Sequence, residues 1–439
     1  MNPLVSAVPT NNSAHPLPAT CDVAVIGGGP SGLAAATHLK QAGVNSVIVL
    51  EREPDAGGIP RHCGHPPFGM REFKRCMTGP AYAARLVATA QHAGVDIRVN
   101  TSVARIADGG QLLVTDDRGA AELLAGRVVL CTGVRETPRA PRLISGQRPL
   151  GIFTTGALQS MVYLKGNIPF KRPIIIGTEL VSFSALLTCR HAAINPVAMI
   201  EANSHITARA FCRPLPAMLG VPLHLNTRTV EILGKDRVTG VRVADANGHE
   251  RVIEGDGVLF TGQFTPESSL LRMGHLDVDP ASGGPVVDQY GRCSDPTYFA
   301  TGNLLRPVET AGWCWKEGRQ IAAIVARALN SSLPSQRRQT RLAIQTPLIR
   351  FAIPQVISAP DAEHQTGALI DDNARHLQLR FSAPANGLLV VRFNGQPIWS
   401  KSLSVLPERR VLVPMAPIIH HATKDPTSTP IEIDFTERD

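Results

Sequence analysis

What this 439-residue chain lacks narrows it quickly. Its eight cysteines are Cys21, Cys63, Cys76, Cys131, Cys189, Cys212, Cys293 and Cys314, and no two stand as C-x-x-C. Zinc ribbons, iron–sulfur clusters and thioredoxin-like dithiols use that spacing, so no metal centre is expected. The cysteines read as reduced thiols of a cytoplasmic protein. Aromatic residues make up only 5%, and the cations behind a formal net charge of +8 are scattered. Without a basic run interleaved with aromatics, nucleic acid is not an expected partner. No apolar run reaches the ~18 residues a membrane-spanning helix needs. The start, MNPLVSAVPTNNSAHPLPAT, lacks the basic and apolar regions of a signal peptide and reads as a disordered arm over 1–20. The expected location is the cytoplasm, with any attachment to the inner face of a membrane made through a partner.

What is there begins at DVAVIGGGPSGLAAATHLKQAGVNSVIVLE, residues 22–51. Apolar Val23–Ile26 predicts a buried parallel strand. Gly27, Gly29 and Gly32 follow in G-x-G-x-x-G spacing, with Pro30 and Ser31 opening an Ala- and Leu-rich helix. The first glycine allows the tight turn, the second lets backbone approach a pyrophosphate, and the third lets helix and strand pack closely. The helix N-terminus offers free N–H groups and a positive dipole end. Val47–Leu50 predicts the second strand, ending in Glu51, an acceptor for ribose hydroxyls.

Glu51-Arg52 and the pair Gly57-Gly58 form an E-R-x(4)-G-G run. VVLCTGVRETPR (128–139), with Thr132 and Gly133, and DPTYFATGN (295–303), with Gly302 and Asn303, occur further along. Together these stretches resemble the FAD-binding pattern of flavoproteins with two dinucleotide-binding domains, a group that includes the pyridine nucleotide–disulfide oxidoreductases. The resemblance spans roughly residues 20–330 and implies FAD, held by the residues just named together with Arg61, Val103, Thr310 and Ala311. The group usually has Asp where this chain has Asn303. An amide donates as well as accepts and brings no charge.

IIIGTELVSFSALL, residues 174–187, starts a second strand–turn–helix unit. Gly27 and Gly177 are 150 residues apart, as are Glu51 and Glu201. In the resembling group the corresponding unit binds NAD(P)H. Here the second glycine is replaced by Glu179 and the third by Ser182. A carboxylate about 4 Å from a phosphate charge costs about 4 kcal/mol at an effective dielectric of about 20. Ordinary NAD affinity does not survive that. The expectation is a retained fold with a closed nucleotide site. The competing reading has Glu179 swung away and Glu201 still on a ribose.

Between the two units lies IPRHCGHPPFG, residues 59–69. The resemblance puts this segment over the flavin, where disulfide reductases carry C-x(4)-C. Cys63 stands alone there, so a flavin-linked dithiol is not expected. His62 and His65 are candidate general bases for removing an amine or hydroxyl proton, and Cys63 a candidate thiolate. The alternative is that these groups and Arg61 hold the pyrophosphate and shape the loop. Thr310, Ala311 and Gly312 predict the start of a long helix aimed at the flavin. Trp313 and Trp315 face different directions on it, one toward the core and the other toward a flavin pocket or an interface. Lys316 and Glu317 suit solvent as well as function.

The expected architecture is α/β, with two Rossmann-like dinucleotide-binding domains and a small C-terminal β-rich module. The FAD domain, 21–150 and 266–330, is interrupted by the NAD-like domain, 151–265. A polar linker at 331–340 leads to a module at 341–439, whose LQLRFSAPANGLLVVRFNGQPIWSKSL has strand alternation with turns at Ala-Asn-Gly and Asn-Gly-Gln. That module is assigned to subunit or partner contacts. The resemblance points to the flavin subunit of a dehydrogenase complex for amino acids, opines, imino acids or glycerol phosphate. The partners it implies are a small-molecule substrate and a second flavoprotein or iron–sulfur subunit, with electrons passing to an acceptor other than NAD. The alternatives are a self-contained NAD(P)H-dependent reductase and a non-catalytic flavin-binding subunit.

Overall fold

Continuous burial from Val23 to Ile26 makes Thr20–Ile26 a central strand. It pairs in parallel with Val47–Leu50 on one side and with Gly119–Leu130 on the other. This computed structural model describes residues 16–334, 336, 338–358, 376–407, 409–424 and 429–438. Most of the expected arm, residues 1–15, lies outside the described residues, as do parts of the linker and of the C-terminal module.

The chain divides into two units. The first comprises residues 1–58, 84–134 and 266–439, and the second 59–83 and 135–265. The crossing expected near 150 therefore falls at Val134/Arg135. Residues 59–69, expected over the flavin, fall within the 59–83 segment of the second unit.

In the first unit five parallel strands run in the order Asp96–Arg98, Val47–Leu50, Thr20–Ile26, the end of Gly119–Leu130, and Tyr298–Ala300. Two antiparallel strands, Gln111–Asp116 and Ser102–Ala107, extend the sheet from the first half of Gly119–Leu130. Helix Pro30–Gln41 has proline at its first turn and stops before Gly43, whose φ of 87° reverses the chain. Helix Ala311–Leu329 turns Cys314, Glu317, Gly318, Ile321, Ala322 and Val325 inward at three- and four-residue spacing. It crosses Pro30–Gln41 so closely that a Cβ on Gly318 would stand 2.1 Å from the Ser31 carbonyl oxygen.

The second unit repeats the five-strand order with Leu223–His224, Ala198–Ile200, Pro173–Ile176, Gly257–Phe260 and Ile152–Thr154, all parallel. A smaller sheet of Ser145–Gly146, Arg228–Leu233, Gly240–Ala244 and Glu250–Glu254 accompanies it.

The C-terminal residues of the first unit form a β-rich module. A five-stranded sheet (Val356–Ser358, Gln339–Ile344, Ile431–Glu437, Ala385–Phe393, Gln396–Val405) and a three-stranded sheet (Ile349–Ile353, His376–Phe381, Val411–Pro414) enclose Leu377, Phe381, Val391, Ile418 and Ile433. The turn at Asn394–Gly395 falls where the sequence predicts it, with both φ angles positive (50° and 75°) as a two-residue hairpin requires. The turn expected at Ala385–Gly387 lies instead inside a strand. Gly387 is there because the strand presses against Ile431–Glu437, where a Cβ would meet the Thr436 carbonyl oxygen at 2.3 Å.

Candidate flavin site and its altered copy

The first glycine turn is built as its spacing predicts. Gly27 has φ of 106°, and a Cβ on Gly32 would stand 2.0 Å from the Gly27 carbonyl oxygen, so helix and strand meet at closest approach. The Gly28 amide donates to Glu51 Oε2 at 2.8 Å and the Glu53 amide to Oε1 at 2.9 Å. Burial pushes the Glu51 carboxyl upward, and these two amides oppose the shift. Gly29 faces Gly58, whose added Cβ would lie 2.8 Å from the Gly29 Cα. The next loop is fastened by Gly57 N–H to Gly28 O at 2.7 Å. Neither Pro30–Gln41 nor Ala311–Leu329 has a side-chain cap on its N-terminus, at Gly29 and Thr310 respectively. These glycine cradles and uncapped termini fit an anionic dinucleotide.

The remaining expected contacts are distributed unevenly. Ser31 Oγ lies 3.5 Å from Thr301 Oγ1, and a Cβ on Gly302 would meet the Ser31 side chain at 2.9 Å. No described residue stands within 4 Å of a Cβ built on Gly133, whereas the Thr132 hydroxyl is engaged with the Glu267 carbonyl at 2.7 Å. Arg52 turns outward beside Glu53, at 3.9 Å. Val103 lies on Ser102–Ala107, paired with Val114 and packed on the core. The strand end instead receives Asn100 and Thr101, whose amides donate to Glu53 O and Glu51 O. Asn303, expected on the flavin, accepts from the Glu309 amide (2.7 Å) and donates to the Glu309 carbonyl (3.1 Å). An aspartate could make only the first of these bonds.

The second turn keeps the frame of the first. Gly177 has φ of 112°, and its amide donates to Ile200 O as Gly27 does to Leu50 O. Glu201 exchanges backbone bonds with His224 and Thr227 as Glu51 does with Arg98 and Thr101. Asn100 and Asn226 share φ of 49°, and each donates its amide to the carbonyl two residues beyond the acid. The Asn-Thr pair at 100–101 and 226–227 is the sequence signal that would have located these residues.

The contents of the second turn differ. Glu179 precedes helix Leu180–His191 and folds its carboxylate back into the turn. Oε2 accepts from Thr261 Oγ1 at 2.9 Å and Ser182 Oγ at 3.3 Å. A Cβ on Gly177 would lie 2.5 Å from Oε2, and one on Gly262 would lie 2.3 Å from Oε1. The carboxylate therefore fills the space between two residues that must be glycine. Glu201 is engaged as well: Oε1 accepts from the Asn203 amide (2.9 Å) and Nδ2 (2.8 Å), and Oε2 from the Thr178 hydroxyl.

His62, Cys63 and His65 lie in the second unit, the first two on Gln159 and the third linked to it through Ser184, where helix Thr155–Gln159 passes into a π turn, Ser160–Leu164. Cys63 Sγ donates to Gln159 Oε1 at 3.5 Å, and Gln159 Nε2 to Ser184 Oγ at 2.7 Å. Ser184 Oγ lies 2.5 Å from His65 Nε2. Burial pushes the Cys63 thiol up to about 12, with Glu136 adding to the shift, which removes the expected thiolate. Burial first, and then the neighbouring Arg61 charge, lower His62 to about 4. Its Nδ1 is buried and has no hydrogen-bond partner among the described residues. Arg61 shares the short turn Ile59–His62 with it.

On the late helix, Trp315 meets His38 edge-on with ring centroids 5.9 Å apart, while Trp313 carries the Arg410 guanidinium 3.7 Å from its centroid. Glu317 is buried and paired with Arg306 at 2.6 Å, not solvated. Among the described residues no helix is long and apolar enough to cross a membrane. All eight cysteines are unpaired, Cys76 alone being exposed.

Two dinucleotide-binding folds, one with a turn fitted to an anionic dinucleotide, are those of an FAD-dependent oxidoreductase, the class to which the family match assigns the chain. Residues 21–320 match the pyridine nucleotide-disulphide oxidoreductase family, and the chain belongs to it. It is 28% identical over 361 residues to the glutamate synthase [NADPH] small chain of Mycobacterium tuberculosis, covering 74% of this chain and 70% of that protein. To an opine oxidase subunit of Rhizobium meliloti it is 23% identical over 318 residues, covering 64% and 58%. Among solved structures, thioredoxin reductase of T. acidophilum superposes with a TM-score of 0.60 at 24% identity, over 71% of this chain and 99% of that one. L-proline dehydrogenase of P. horikoshii gives 0.54 at 20%, over 71% and 56%. The two structures share the fold.

Proposed function

We propose that the chain is the flavin subunit of a dehydrogenase that oxidises an amino, imino or hydroxy compound and passes electrons to an acceptor other than NAD(P), together with a partner subunit. The observation that carries this reading is the Glu179 carboxylate. It lies where a dinucleotide phosphate would have to approach, fixed by Thr261 and Ser182. Repulsion of about 4 kcal/mol and the loss of the glycine cradle both oppose a nicotinamide dinucleotide there. Glu201, the acid of the second turn, already has three hydrogen bonds to Asn203 and Thr178. The match to the opine oxidase chain, which is named as one subunit of its enzyme, supports the substrate class and the partner.

FAD supplies the hydride-accepting ring. In this reading the protein's own groups bind substrate and manage its proton. His62 is neutral near pH 7, and its Nδ1, which has no hydrogen-bond partner among the described residues, is the open acceptor for an amine or hydroxyl proton, although burial makes it a weak base. Gln159 orders Cys63 and Ser184, and through Ser184 it orders His65.

The word NADPH in the name of the matched glutamate synthase small chain favours a second reading, a self-contained NAD(P)H-dependent reductase. Anaerobic mixing of the purified chain with NADH or NADPH separates the two. Flavin that stays oxidised at 450 nm but bleaches with dithionite supports the dehydrogenase reading. Rapid bleaching by either nucleotide replaces it with the reductase.

A further inference from the structure

The C-terminal module reaches the foot of the late helix with two guanidinium groups. Arg380, on strand His376–Phe381, pairs with the Glu309 carboxylate and donates to Val308 O at 3.3 Å. Arg410 lies 3.3 Å from the same carboxylate and covers the Trp313 ring. The Glu309 side chain is 6% exposed, against 7% for Arg380 and 15% for Arg410. The Glu309 backbone is gripped at both its N–H and its carbonyl by Asn303, the neighbour of Gly302. The residue after Glu309 is Thr310, from which the late helix starts without a side-chain cap.

We propose that Arg380 and Arg410 are positioning residues for the flavin: through Glu309 they fix Asn303 and the first turn of the late helix, so that the C-terminal module sets FAD affinity and redox poise. A buried carboxylate stripped of both partners is strongly disfavoured and pulls its segment toward water. Here that segment carries Gly302–Asn303 at one end and the helix N-terminus at the other. The cluster of Glu309 with two arginines also has a net positive charge at the positive end of a helix dipole. Both favour the extra negative charge of a reduced flavin. Arg306 and Glu317, further along, balance each other. The inference rests on FAD occupying the first turn and is independent of the electron donor.

The test uses the full chain, stripped of cofactor and titrated with FAD, with midpoint potentials read by dye equilibration. Wild-type chain that fails to bind FAD would overturn the cofactor assignment and this proposal together. In R380A/R410A the FAD dissociation constant should rise at least about tenfold and the potential become more negative. R380K/R410K should recover most of both. E309Q, which keeps shape but removes the negative charge, should move the potential the other way. A general loosening would shift both variants in one direction, and that result overturns the proposal. So do a dissociation constant within about twofold of wild type and an unmoved potential. Should R380A/R410A not fold, E309Q decides: unchanged affinity and potential refute the latch.

Discussion

Asn303 closes a ring of two hydrogen bonds with the backbone of Glu309, donating through Nδ2 and accepting through Oδ1. That explains why an amide stands where the related flavoproteins favour a carboxylate. Asn303→Asp keeps the acceptor, loses the donor and sets a negative charge against the Glu309 carbonyl. A partly buried bond replaced by such a mismatch costs about 1–3 kcal/mol. The variant should lower the thermal midpoint and release FAD on gel filtration faster than wild type. Equal retention and an equal midpoint would mean that the ring contributes nothing.

His62 makes stability depend on pH. Its folded value, about 4, lies below the ordinary 6.5, so the unfolded chain binds the proton more readily. The contribution is complete above pH 6.5 and is lost as pH falls through about 4, amounting to at most about 3 kcal/mol. The difference in unfolding free energy, measured with urea, between wild type and His62→Gln should therefore be constant above pH 6.5 and shift against wild type as pH falls from 6.5 toward 4. Parallel curves across that range would show that His62 titrates normally.

Much of this was legible because it is local. The glycine turn, the strand that feeds it and the acid that ends the unit lie within 30 residues, and backbone sterics dictate each residue type. The repeat at an offset of 150 carries the second unit with it. What was not legible depends on packing between distant segments. Glu309 and Arg380 are 71 residues apart, and neither stands in a motif. The place of His62, Cys63 and His65 in the second unit follows from Gln159 and Ser184, with which sequence spacing gives them no link. Gly387 read as a turn because glycine also serves close strand contact, and the two uses look alike in sequence.

The thiols should separate sharply under alkylation. Cys63 is held protonated by burial and donates to Gln159, whereas Cys76 is exposed. Iodoacetamide near pH 8 should modify Cys76 within minutes and leave the native chain otherwise unlabelled. Cys76→Ser should abolish that fast phase. A second fast site mapped to Cys63 by peptide mass would restore it as a reactive nucleophile.

Opening the second turn tests the central claim about electron flow. Glu179→Gly removes the carboxylate from between Gly177 and Gly262, but Ser182 still carries a Cβ at the position where, in the first copy, a Cβ on Gly32 would stand 2.0 Å from the turn carbonyl oxygen. Glu201 also remains bound to Asn203 and Thr178. The single change should therefore give slow flavin reduction by NADH at high concentration, and Glu179→Gly/Ser182→Gly a further gain. Removing about 4 kcal/mol of repulsion corresponds to roughly a thousandfold in affinity, an upper limit while Glu201 stays occupied. The rate of bleaching at 450 nm under anaerobic NADH, taken across wild type, single and double variants, reads this directly. A graded rise supports a turn filled by its own side chain. Fast reduction already in wild type, with no gain on substitution, would show that Glu179 does not obstruct the nucleotide.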